Sequence, residues 1–219
     1  MNDASAFSRR AILSGVTGAA AAGLFGIEAA VAAEIETEEI DIDARKIITR
    51  KQWGAKKPRQ PIDIINRKPD KIIVHHTVFS TKDFSRKRAL AHARQVQRSH
   101  FSRNFRDVGY NFIISRGGYI TVGRHRSLQM LRGGKKVVEA GHTVGQNDNI
   151  GIALEGNLNN GKVRPAQWNA LVWLCARTFK AYDIPVRIKG HRDFSATACP
   201  GNHMYKRMKP LRKAVRKRV

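Results

Sequence analysis

Apolar and polar positions follow two different periods along this chain, and the changes of period mark its elements. Residues 71–76 read Lys-Ile-Ile-Val-His-His, a β-branched run ending in polar groups. This pattern predicts a buried strand that delivers its last side chains to a sheet edge. Residues 83–100 place Ala89, Ala93, Val96 and His100 three or four positions apart with a basic opposite face, which predicts an amphipathic helix. Two further apolar runs, 110–114 and 119–122, flank Arg116-Gly117-Gly118 and read as a hairpin. Residues 150–154 form another strand candidate. Pro165 opens a long helix whose apolar stripe is Trp168, Leu171, Val172, Cys175, Phe179 and Tyr182. Strands and helices alternate along the chain, so the expected class is an α/β domain with a central mixed sheet flanked by helices.

Length and composition narrow this picture to one core. A chain of 219 residues, 42% of them apolar, can bury one sizeable core plus extensions. Two cysteines, Cys175 and Cys199, are too few for a disulfide scaffold. The N-terminus reads Phe7-Ser8-Arg9-Arg10-Ala11-Ile12-Leu13, continues through an Ala/Gly-rich stretch to Ile27 and ends in Ala29-Ala30-Val31-Ala32-Ala33. Residues 1–33 thus resemble a twin-arginine export signal, cleaved after either Ala32 or Ala33. The apolar run falls short of the ~20 residues of a spanning helix, so no stable membrane span is expected and the destination is the periplasm or cell envelope. Residues 34–44 carry six acidic groups and no basic one, and form an acidic linker, either solvated or lying against the basic domain.

Charge then changes the view of partners. Lys and Arg exceed Asp and Glu by 24, and from Arg45 onward the count is 39 basic against 9 acidic. Such an imbalance favours polyanionic partners. The export signal and the lack of a nucleic-acid-binding motif argue against nucleic acid. Residues 206–219 read as a basic tail outside the core.

Candidate chemistry sits in three side chains. His75 ends a buried strand, and His191 and Cys199 lie eight residues apart in Gly-His-Arg-Asp-Phe-Ser-Ala-Thr-Ala-Cys-Pro-Gly. Imidazole nitrogen and thiolate are zinc donors, and three protein ligands leave a fourth position open for catalysis. Each residue also has an ordinary reading, as a core histidine, a loop histidine and a small buried hydrophobe.

Several motifs in register decide between these readings. Ile48-Thr49-Arg50-Lys51-Gln52-Trp53-Gly54-Ala55, Ile73-Val74-His75-His76-Thr77, Asp107-Val108-Gly109-Tyr110-Asn111-Phe112 and Gly190-His191-Arg192-Asp193 through Cys199-Pro200-Gly201 resemble the type 2 N-acetylmuramoyl-L-alanine amidase and peptidoglycan recognition protein family. The resemblance runs from Ile47 to about Tyr205 and implies a zinc amidase domain over 45–205. It implies zinc held by His75, His191 and Cys199 at the sheet edge, and cleavage of the amide between N-acetylmuramic acid and L-alanine. Tyr110 matches the family's catalytic tyrosine, and Thr197 stands where the family places threonine or lysine. His142 and Asn147 match groove residues for the muramyl peptide, while His76 either orients the site, touches substrate or is structural. The implied partners are peptidoglycan and its muropeptides, with anionic wall polymers drawn to the basic surface. A branch of the wider group carries a glutamate where this chain has Ala153, which leaves Tyr110 or Glu155 as proton shuttle. The alternative within the family is a recognition module that binds muramyl peptide without cutting it. Cys175 and Trp53 are expected to pack in the core, Glu155 to pair with a base, and Arg124, His125 and Arg126 to form a solvated basic edge.

Overall fold

A computed structural model describes residues 47–219; the expected export signal and the expected acidic linker lie outside the described residues. The chain forms β1 (Ile47–Ile48), α1 (Arg50–Trp53), β2 (Ile64–Ile65), β3 (Ile72–His76), α2 (Arg86–Ser102), β4 (Phe112–Ile114) and β5 (Ile120–Val122). There follow α3 (Ser127–Gly133), β6 (Val137–Val138), β7 (Ile150–Leu154), α4 (Pro165–Tyr182) and β8 (Ile188–Gly190), then a single 3-10 turn (His191–Asp193), α5 (Asn202–Tyr205) and α6 (Met208–Arg216).

Six strands make one mixed sheet in the order β1-β5-β4-β7-β3-β8. The β4–β5 hairpin is antiparallel and every other neighbour pair is parallel. β2 and β6 form a separate antiparallel pair. The two long strands, β3 and β7, are buried throughout, as expected of parallel strands covered on both faces. Local chemistry sets the helix ends. Ser85 accepts the Arg88 amide and so caps α2, Pro165 occupies the first turn of α4, and Thr49 and Gln52 form a reciprocal capping box on α1.

Side-chain alternation divides the core between the two faces. On one face Ile72, Val74, Phe112, Ile114, Ile152 and Leu154 pack against Leu171, Cys175 and Phe179 of α4. On the other, Ile113 packs with Ile48, Trp53, Val108 and the α2 residues Ala93 and Val96. Trp53 is wholly buried and its indole N–H donates to the Val122 carbonyl at 2.8 Å. Both Trp53 and Cys175 are therefore packing residues.

One expectation is corrected. Residues 206–219 are not a tail outside the core: α6 buries Met208, Leu211 and Val215 in the main core, against α4 and β8. Spacings of three and four residues put these side chains on one face, and the basic residues that dominate the segment take the other. Burying such side chains contributes about 1.5–3 kcal/mol each, which a peripheral tail would forgo.

Candidate metal centre

The alternation that divides the core also separates the paired histidines. His75 pairs in register with Ala153 of β7, on the face that carries Ile113, and His76 pairs with Leu154 on the opposite face. Only His75 can therefore meet side chains above the α2 face. The His76 ring turns the other way and its Nδ1 accepts the Leu158 amide at 3.1 Å, so its side chain holds the 155–158 loop. Its backbone N–H contributes to the site by donating to Cys199 Sγ at 3.4 Å.

Strand β8 lies beside β3 in parallel and runs straight into the 3-10 turn that begins with His191. The following loop returns to bring Cys199 under the end of β3. The donor atoms of His75, His191 and Cys199 all lie within 4.8 Å of one another. His75 Nδ1 is 3.6 Å from the Cys199 sulfur, and the His75 and His191 rings are 4.6 Å apart. His75 is almost completely buried, Cys199 is buried, and His191 is half-buried at the open side. Two imidazoles and a thiol converging at this range match the ligand set of a tetrahedral zinc site with one position left free. Among the described residues this is the one cluster of three such groups close enough to share an ion.

Electrostatics prepare these groups unequally. Burial holds the His75 imidazolium well below its ordinary range, and the nearby His142, His191, His76 and His100 add to the effect. Burial lowers His191 as well. Both rings are thus neutral and present lone pairs at neutral pH. Burial pushes the Cys199 thiol up to about 11, despite the opposing hydrogen bond from the His76 amide. Without an ion it is a thiol.

Tyr110 lies next to this cluster, its ring 5.1 Å from that of His75. Gly109 permits the approach. A Cβ there would sit 2.5 Å from the Gly141 carbonyl oxygen, and the Gly109 amide donates to His100 Nδ1 at 2.7 Å. The preceding Asp107 is fully buried and ion-paired to Arg50 at 3.0 Å. Burial, helped by the Cys199 sulfur, raises the Tyr110 phenol above its usual range, so the hydroxyl keeps its proton. Thr197 lies in the same loop as Cys199, and its hydroxyl oxygen accepts the Cys199 amide at 3.2 Å. Its own O–H remains available to donate.

The remaining expected residues separate into those facing the cluster and those facing away. The His142 ring is buried beside His75, with His142 Nδ1 3.2 Å from His75 Nε2. The Asn147 side chain accepts the His142 and Thr143 amides at 2.9 and 3.0 Å, which ties its own loop. Glu155 is directed at α2: it pairs with Arg88 at 3.0 Å and accepts the Arg116 amide at 3.0 Å. This is the ion pair expected from sequence. The basic edge is corrected in part. His125 and Arg126 are exposed, but Arg124 is buried and donates to the carbonyls of Glu139, Val108 and Ala140. Two contributors escaped the sequence reading. Gly151 leaves room for the His142 ring, since a Cβ there would overlap it; a glycine within a strand is the signal for such an approach. The Asn149 carbonyl, 3.1 Å from His142 Nε2, is backbone and leaves no mark in the sequence.

Known proteins are similar to this chain over about three quarters of its length. Residues 65–202 match the family model described as N-acetylmuramoyl-L-alanine amidase. The chain is 32% identical over 178 residues to a peptidoglycan-recognition protein of Drosophila melanogaster, covering 75% of this chain and 86% of that protein. Among solved structures it is similar to the N-acetylmuramoyl-L-alanine amidase LysC from Clostridium intestinale, with 28% identity, a TM-score of 0.60, and coverage of 75% of this chain and 95% of that one. It is also similar to peptidoglycan recognition protein LE in complex with tracheal cytotoxin, a monomeric diaminopimelic acid-type peptidoglycan, with 25% identity, a TM-score of 0.66, and coverage of 76% and 94%.

Proposed function

The chain belongs to the N-acetylmuramoyl-L-alanine amidase family, and on that premise we propose that it is an exported zinc amidase cutting peptidoglycan between N-acetylmuramic acid and L-alanine. The observation that carries this reading is the convergence of His75, His191 and Cys199 within 4.8 Å beside the Tyr110 ring. These three residues would hold zinc, which when bound supplies Lewis acidity and lowers the pKa of water toward about 7.

The chain's own groups supply the rest. Hydrolysis breaks the carbonyl–nitrogen bond, adding hydroxyl to the carbonyl carbon and a proton to the departing L-alanine amine. Negative charge develops on the carbonyl oxygen, and the protonated Tyr110 hydroxyl is a donor suited to it. Thr197 is the second donor, because its oxygen is anchored by the Cys199 amide while its proton stays free. Removing one such donor in other enzymes costs about 10²- to 10³-fold in rate. Tyr110 is also the better proton carrier than Glu155, whose carboxylate is engaged by Arg88 and Arg116.

A second reading, binding of muramyl peptide without cleavage, is favoured by the likeness to peptidoglycan recognition proteins. Cys199 and Tyr110 support the enzyme instead. Mass spectrometry of muropeptides incubated with the zinc-loaded protein separates the two. A new L-alanine amine is expected from wild type, with a loss of rate of about 10²-fold or more and unchanged zinc content in Tyr110→Phe. Wild-type protein that carries a full equivalent of zinc and binds muropeptide but releases no amine would establish the recognition reading.

A further inference from the structure

We propose that His142 is a positioning residue that selects which nitrogen of His75 faces the metal. The inference rests on the metal-ligand part of the proposed function and not on the reaction.

A backbone carbonyl, which can only accept, stands at one end of this set of contacts. His142 Nε2 lies 3.1 Å from the Asn149 carbonyl oxygen, so Nε2 carries the ring proton and Nδ1 is left with a lone pair. His142 Nδ1 lies 3.2 Å from His75 Nε2 and 3.1 Å from the Thr143 hydroxyl. Two bare nitrogens facing each other at that distance would repel, so His75 Nε2 bears a proton and donates it to His142. The proton-free nitrogen of His75 is then Nδ1, the one 3.6 Å from the Cys199 sulfur. One carbonyl therefore sets two tautomers in series, and the second is the one a metal needs.

The relay is held from several sides. Asn147 Oδ1 accepts the His142 and Thr143 amides, so the loop cannot swing the ring away. Gly151 leaves the space beneath the ring that any larger residue would fill. The Asn149 side chain is fixed by the amides of Asp70 and Lys71 at 2.9 and 3.2 Å, which anchors the residue whose carbonyl starts the chain. Both ring nitrogens of His142 are thus committed within the protein. A muramyl peptide could engage either only by breaking the relay, which distinguishes this role from that of a groove residue.

The test uses the zinc-loaded protein and needs no substrate. Long-range ¹⁵N–¹H spectra of the imidazoles should show a proton on His75 Nε2 and metal on Nδ1 in wild type. His142→Phe keeps a ring of similar volume without an acceptor, and zinc affinity measured by chelator competition should fall about 10- to 100-fold. His142→Gln, whose carbonyl can accept the His75 proton, should recover much of that loss, whereas a purely packing role would favour Phe over Gln. Metal on His75 Nε2 in wild type would overturn the proposal even if neither variant folds. So would a folded His142→Phe with wild-type zinc affinity. A protein that shows the relay and binds zinc but cleaves no muropeptide would sink the amidase reading and leave this one standing.

Discussion

Acidification should destabilise this domain in a pH range where few carboxylates have yet titrated, because its interior holds neutral histidines. His100 is 4% and His142 7% exposed. Burial is the main cause in both cases, lowering His100 to about 3 and His142 to about 4. Geometry gives the same answer for His100, whose Nδ1 accepts the Gly109 amide and whose ring packs against Phe105 and Tyr110. Arg103 and Arg124 lie near enough to oppose its protonation further. In the unfolded chain both rings titrate near 6.5. A folded pKa below the unfolded one means that stability is complete above about 6.5 and is lost as pH falls, because the unfolded state binds the proton first. Each ring loses about 1.4 kcal/mol per pH unit, or about 2 kcal/mol by pH 5. Together they remove about 4 kcal/mol from a domain stability of about 5–15 kcal/mol. Glu155 works in the opposite sense, since burial raises its carboxyl and the folded state gains relative stability as that group protonates. Comparison with a single variant isolates one ring. Urea unfolding of chelator-treated protein, followed by the fluorescence of its three tryptophans, should show stability falling from pH 7 to pH 5. In His100→Asn, which can still accept the Gly109 amide, the slope between pH 6 and pH 5 should be shallower by about 1.4 kcal/mol per unit. Parallel pH profiles for the two proteins would refute the reasoning.

Zinc uptake near pH 7.5 should release about one proton per ion, because the Cys199 thiol is protonated and both imidazoles are already neutral. Calorimetry in buffers of different ionisation enthalpy counts that proton, and Cys199→Ser should lose both the release and most of the affinity. Leu211→Ala should destabilise the domain by about 2–5 kcal/mol in denaturant titrations, whereas a residue in a peripheral tail would change little. Replacing Arg9 and Arg10 by Lys should leave full-length precursor inside the cell on fractionation, and unaltered export would remove the twin-arginine reading.

What could be read in the sequence followed from how much of the chemistry is periodic. β3, β7 and α4 appear within a residue of their expected bounds, because β-branched runs and a proline-led apolar stripe have few competing conformations. The face on which His75 lies needed strand pairing, and pairing is a long-range property. Helix α6 was hidden by composition: eight basic residues between 205 and 219 obscured the three apolar positions that decide its fate. Arg124 was obscured in the same way, since a guanidinium surrounded by backbone carbonyls is indistinguishable from a solvated one in a string of letters. Motifs singled out His75, His191 and Cys199, whose donor atoms the fold brings together, but the contacts of His142 with Asn149 and Gly151 arise only when a loop closes over a strand.

Strand β8 closes the sheet and pairs on one side only, with β3. Its outer rim is shielded by α6, from which Arg212 donates to the Ile188 carbonyl at 3.1 Å. His191 follows this strand immediately and Cys199 comes eight residues after it, while His75 belongs to the neighbouring strand. An ion shared among the three would therefore act as a cross-link between segments more than a hundred positions apart in the chain, riveting the outermost strand to the interior. Fraying of that border and escape of the ion become a single event, so the rate at which a chelator strips the metal would track the peeling of β8 rather than the strength of any one ligand bond.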